Sequence, residues 1–332
     1  MEENRDLQMA MASACFSRLG GALVVMGVSI LVCQVVLALA VGVLIRLGVE
    51  AVQTPFVDWL ITFLPVYLVG FPLALAVMKK MPVETGTPTR MGAGQMVLLI
   101  LMCFPVMYVG NLVGNVVSDF LSAGQAENAL VSMVEEINIW KALSVAVIAP
   151  IMEEYLFRKQ LIDRCVQYGE KTAIVFSGLT FALFHMNLFQ FFYALGLGLL
   201  MGYVYVRTRR LRYPIMMHMA VNFTGAVLTP WVMAQVDWEA LANLNPQAMD
   251  EVLLAQVLPS LALYLGYLLL YMGIAVVGLV LLVASRRNLT FQPASLELPR
   301  EGRLRATYVN AGVIAFGVMC LVMIVLNLLP VS

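Results

Sequence analysis

Charge is scarce in this sequence. Asp, Glu, Lys and Arg make up 12% of its 332 residues, against about 25% in soluble domains, which excludes an ordinary solvated surface. Neither sign is in excess, with 20 basic and 20 acidic residues, so nothing points to a nucleic-acid partner or a cation store. The cysteines, Cys15, Cys33, Cys103, Cys165 and Cys320, stand singly in apolar segments. That pattern is neither a disulfide framework nor a zinc ribbon, and they read as small core residues. HExxH, sustained heptads, fixed-period repeats and low-complexity tracts are all missing, and the N-terminus lacks a short apolar stretch followed by a clear cleavage site. The first apolar run is therefore expected to stay as a membrane anchor. Histidine occurs only twice.

Apolar and aromatic residues dominate instead, at 61%. About 20 such residues cross a hydrocarbon core roughly 30 Å thick. Candidate spans fall at 19–45, 57–78, 93–116, 142–164, 171–187, 189–207, 213–234, 257–285 and 308–329. The expected fold is an all-α polytopic transmembrane bundle of eight to nine spans with a central polar cavity, in one membrane domain over 1–332. The fifth and sixth segments are short and nearly abut, as in a hairpin that does not reach one surface. Connection 286–307 is the nearest thing to a linker. Lysines and arginines favour cytoplasmic span ends. With the N-terminus inside, only Arg46 and Lys141 fall on the outer side, while the outer stretches 120–139 and 235–256 are acidic. These stretches read as short surface helices or solvated loops. A cell-membrane protein with nine crossings and a cytoplasmic N-terminus follows.

Against that background the run APIMEEYLFR (149–158) is anomalous. An ionisable side chain near a bilayer centre costs about 2.5–3.5 kcal/mol on insertion scales, and a cluster of them points to function. Glu154 and Arg158 are four apart and share a helix face, so they are the natural ion pair, whereas Glu153 points about 100° away. An unpaired carboxylate in a poorly solvated site suits a general base. The competing reading is that the cluster only locks helices together. Pro150 can kink the helix nearby. Both histidines also fall in spans, His185 in FALFH after Phe181 and His218 in HMAVN before Asn222, each pair on one helix face.

EEYLFR, FALFH and HMAVN, in that order on three spans, resemble the EExxxR, FxxxH and HxxxN motifs of the CPBP family. These are the CAAX-prenyl-protease-like and bacteriocin-processing intramembrane proteases, also called the ABI family. The likeness covers 140–235 as a catalytic core. It implies that Glu153 and His185 hold and activate a water, that His218 and Asn222 stabilise the oxyanion, and that Glu154 and Arg158 support them. The substrate implied is a membrane-associated peptide or protein in the lipid bilayer, lipidated in some relatives, with no nucleic acid involved. No cofactor is expected; zinc is the alternative, with Glu153, His185 and His218 as its three ligands and an open fourth position. The alternative function is a transporter, or a non-enzymatic immunity or partner protein, whose buried Glu and His carry protons or bind a ligand.

One point of geometry resists. Counted from the inner surface, His218 lies roughly 9 Å deep and His185 roughly 21 Å. Either the short hairpin rides low or a helix is tilted or broken. Outside the motifs, the glycines of GLGLLMG (196–202) suit close helix packing. GNLVGN (110–115) either lines a cavity or joins helices.

Overall fold

The computed structural model describes residues 2–126, 128, 138–242 and 251–329, with side chains left aside at 2 and 251–256. Every regular element among the described residues is helical: α1 (Glu2–Arg46), α2 (Pro55–Met78), α3 (Ala93–Ser122), α4 (139–165), α5 (Glu170–Phe184), α6 (Leu188–Thr208), α7 (Arg212–Met233), α8 (Trp238–Ala242), α9 (Glu251–Ser285), α10 (Arg303–Tyr308) and α11 (Ala311–Leu328). Seven of these, α1, α2, α3, α6, α7, α9 and α11, are long and apolar enough to cross a membrane. The other two expected spans differ for physical reasons. Helix α5 has 15 residues, and α4 carries Glu153, Glu154, Arg158, Lys159, Asp163 and Arg164. The result is a polytopic helical bundle in which apolar spans surround two helices unsuited to lipid.

The packing order follows from where the apolar and small residues fall. On α1, Ala12, Phe16, Leu19, Leu23 and Met26 are wholly buried at alternating steps of four and three, which draws one stripe down the helix. That stripe meets α2, α10 and α11. Beyond Ile30 the same helix exposes Val32, Val36, Leu39 and Val43, which is stable only where lipid is the solvent. Helix α3 packs against α6, with Gly110 against the Tyr193 backbone and Gly114 against the Phe189 carbonyl. Asn111, exposed, and Asn115, half-buried, bond to each other, and the two glycines of GNLVGN join helices. Gly198 lies against Gly178, where a Cβ would sit 2.9 Å from its Cα. This close approach locks α6 onto α5.

Prolines explain most of the broken helices. Three five-residue π-turns, Val66–Gly70, Ser144–Ile148 and Thr224–Leu228, stand just ahead of Pro72, Pro150 and Pro230. A helix-interior proline lacks an N–H and clashes with the carbonyl four residues back. Those carbonyls belong to Leu68, Ala146 and Ala226, the middle residue of each π-turn, and widening the turn relieves the clash. The longer π segment Tyr155–Ile162 has no such proline. Helix α2 fastens to the N-terminal end of α4 through stacked Phe56 and Trp59, Trp140 against both, and a 2.6 Å bond from Trp59 Nε1 to the buried Ser144 hydroxyl.

Two extended connections cover the face that carries the N-terminus. In 79–92, the Glu84 N–H donates to the Asp163 carbonyl (2.7 Å) and the Thr89 N–H to that of Thr208 (2.9 Å). In 286–302, the N–H groups of Leu296 and Leu298 donate to the carbonyls of Gln167 and Tyr168, and that of Gln292 to the Glu170 carboxylate. Segment 286–307 is thus a packed strap ending in α10, not a loose linker. The five cysteines are unbonded. Of the stretches expected as surface helices or loops, 235–256 supplies α8 and the start of α9; residues 127, 129–137 and 243–250 lie outside the described residues.

Candidate active site

Glu154 and Arg158 are both fully buried on α4, with Nε–Oε2 at 2.9 Å and Nη2–Oε1 at 3.3 Å. Two parallel bonds to one carboxylate fit the guanidinium's fork. The four-residue spacing in the sequence implies this pair, and the structure contains it. The same Glu154 Oε1 accepts from His218 Nδ1 on α7 at 3.0 Å. Glu154 is therefore saturated by two cationic or N–H partners and anchors α7 to α4.

Glu153 is held differently. Its side chain keeps 18% of its exposure, and its Oε2 lies 3.8 Å from His218 Nε2, too far for a direct hydrogen bond and close enough for one water to bridge. Tyr67 of α2 and Tyr193 of α6 lie within electrostatic reach of this carboxylate, as does His185. The two adjacent glutamates thus occupy opposite conditions, one locked and one open.

His185 caps the C-terminus of α5, and its Nδ1–H donates to the Phe181 carbonyl at 2.9 Å. A carbonyl only accepts, so the neutral ring presents a bare Nε2. The chain reverses immediately: Met186 has φ +51°, and Asn187 accepts the Phe189 N–H at 2.9 Å to start α6. The depth conflict read from the sequence does not keep the two histidines apart: His185 at the end of α5 and His218 on α7 reach the same side chain. Both imidazoles meet one ring edge to face, with centroids 4.9 Å (His185) and 5.7 Å (His218) from Phe181. The Arg158 guanidinium lies 4.9 Å over that same ring.

Asn222 donates one amide N–H to the Val145 carbonyl at 2.9 Å. The partner is informative. In the π-turn the Ala149 N–H already bonds Ser144 O, and the donor next in register would come from Pro150, which has none. Asn222 thus satisfies a carbonyl that the proline orphans, and retains a second amide proton.

Sequence reasoning missed Ser177. Fully buried on α5, its hydroxyl accepts from Arg158 Nη1 at 2.8 Å and donates to the Phe157 carbonyl at 2.7 Å. A signal was present: Ser177, Phe181 and His185 recur every four residues, which places all three on one face. Glu153, His185 and His218, named above as zinc ligands, form no three-ligand cluster; none occurs among the described residues.

Comparison with known proteins places the same stretch. Residues 135–224 match the family described as type II CAAX prenyl endopeptidase Rce1-like. The chain is 38% identical over 88 residues to the membrane-embedded CAAX protease MroQ of Staphylococcus aureus (strain USA300), covering 24% of this chain and 34% of that protein. It therefore spans about a third of the length of that curated relative. No solved structure matches. Residues 135–224, the part of the chain that resembles the Rce1-like family, contain Glu153, Glu154, Arg158, His185, His218 and Asn222.

Proposed function

We propose that this chain is an intramembrane endopeptidase that hydrolyses a peptide bond of a membrane-associated peptide or protein, with Glu153 as general base. One observation carries the reading. Of two adjacent carboxylates, Glu154 is buried and saturated by Arg158 and His218, while Glu153 is partly exposed and remains open opposite the His218 Nε2. A structural cluster has no use for the second carboxylate.

The steps follow from the atoms available. Glu153 and the bare Nε2 of His185 both accept, so together they orient the two O–H bonds of a water. As the water oxygen attacks the scissile carbonyl carbon, its proton passes to Glu153. The carbonyl oxygen gains the electron pair and meets N–H donors from His218 Nε2 and the free amide proton of Asn222. In that role His218 is protonated on both nitrogens, its charge offset by the carboxylates on either side. Collapse of the tetrahedral centre breaks the C–N bond, and Glu153 returns the proton to the leaving amine. Fixed donors of this kind contribute about 2.7–4 kcal/mol each in measured cases.

The name of the S. aureus relative makes a prenylated CAAX peptide the first substrate to try. The charge pattern of the connecting segments favours a cell-membrane location with the N-terminus inside. The test compares peptide termini in membranes from cells carrying the native chain and Glu153→Gln at equal abundance. Fragments lost with the variant are the expected result. Identical fragment profiles, together with unchanged cleavage of a prenylated CAAX peptide in proteoliposomes, overturn the assignment.

A further inference from the structure

We infer that Ser177 is a positioning residue that fixes the ring orientation of His218 across three helices, acting through Arg158 and Glu154; this rests on the active-site reading above.

The relay is continuous. The Ser177 hydroxyl donates to the Phe157 carbonyl at 2.7 Å, which aims its lone pairs at Arg158 Nη1, 2.8 Å away. The guanidinium, held at Nη1, presents Nε and Nη2 to Glu154. Glu154 Oε1 then accepts from His218 Nδ1 at 3.0 Å. Ser177, Arg158 and Glu154 are each 0% exposed and His218 5%, so no solvent replaces a missing partner. Every group in the chain is used: serine as acceptor and donor, arginine as donor, carboxylate as acceptor, imidazole as donor.

The consequence lies at the far end. With Glu154 fixed, the Nδ1–H of His218 is held and the ring is oriented so that Nε2, the nitrogen that donates to the oxyanion in the proposed mechanism, faces Glu153 at 3.8 Å. Remove the hydroxyl and Arg158 Nη1 loses its acceptor. The guanidinium is then free to turn, Glu154 loses its fixed orientation, and the ring loses the acceptor that holds its Nδ1–H and its orientation. His185 is insulated from this change because its own Nδ1–H is held by the Phe181 carbonyl.

The chain's two histidines make the test direct. Full-length protein labelled with 15N-histidine gives two ring systems by NMR, assigned with His185→Gln. In Ser177→Ala the His218 ring nitrogens are expected to move or broaden while those of His185 stay in place. Ser177→Thr, which keeps the hydroxyl, is expected to retain the native His218 signals. Glu154→Gln supplies the reference shift for a broken relay. Cleavage, once a Glu153-dependent substrate is in hand, should fall about tenfold in kcat for Ser177→Ala with KM unchanged. Native His218 signals in Ser177→Ala, or equal perturbation by Thr and Ala, overturn the proposal. Because the spectra need no substrate, failure of the peptidase reading would show separately, as cleavage indifferent to Glu153→Gln.

Discussion

Helices α4 to α7 and the helices around them solve opposite problems with the same backbone. The C-terminal half of α1 and much of α9 present Leu39, Leu269, Leu270 and Val280 to their surroundings, and specificity there is coarse, because any apolar side chain satisfies lipid. In α4 to α7 the buried set includes Glu154, Arg158, Asp163, Ser177 and His218, each with named partners, and nearly every contact is exclusive. A region that hides charge must be ordered in detail; a region facing hydrocarbon need only be apolar. Substitutions should therefore be expensive inside and cheap outside.

The sharpest way to break that contrast is Arg158→Ala. It leaves Glu154 buried without its counter-charge, and removing one partner of a buried pair costs about 3–5 kcal/mol. Loss of folded protein from the membrane, or a large fall in the melting temperature of solubilised protein, is expected; native stability would show that the interior tolerates what the contrast forbids. Asn222→Ala should act in two registers. On the proposed mechanism it removes an oxyanion donor, lowering kcat about 10²–10³-fold, and it orphans the Val145 carbonyl, costing about 1–3 kcal/mol. Kinetics and thermal denaturation on one preparation separate these effects, and a kcat loss with unchanged stability would assign the residue to chemistry alone.

Gly198→Ala places a Cβ 2.9 Å from the Gly178 Cα and should destabilise by about 1–3 kcal/mol through overpacking, read as a lower melting temperature with the site chemistry retained. The smallest effect belongs to the outside. Leu39→Ala, at a side chain 67% exposed on α1, should stay within about 0.5 kcal/mol of native. A larger loss in the same melting assay would mean that this half of α1 has a protein partner rather than lipid.

Much of the site was legible in the chain because its elements are local. Glu154 with Arg158 and Phe181 with His185 are four-residue neighbours, and helical periodicity places such pairs on one face wherever the helix sits. The apparent mismatch in depth between His185 and His218 came from treating spans as straight and full length. Helix α5 stops at Phe184, and π-turns interrupt α2, α4 and α7. Ser177 escaped notice because a serine in an apolar helix carries no charge to betray it. The second role of Asn222 escaped because its partner is a backbone carbonyl, which has no side-chain signature.

What the sequence determined alone is the solvent and the chemistry. Apolar run lengths demand a bilayer and helices, and the order of EEYLFR, FALFH and HMAVN supplies a carboxylate pair, an imidazole pair and an amide. What tertiary structure decided is which groups from other helices hold the Glu154–Arg158 ion pair. They are His218, 64 positions from Glu154, and Ser177, 19 positions from Arg158. Contacts across such separations depend on how proline-widened helices dock, and side-chain periodicity within one helix does not encode the position of another.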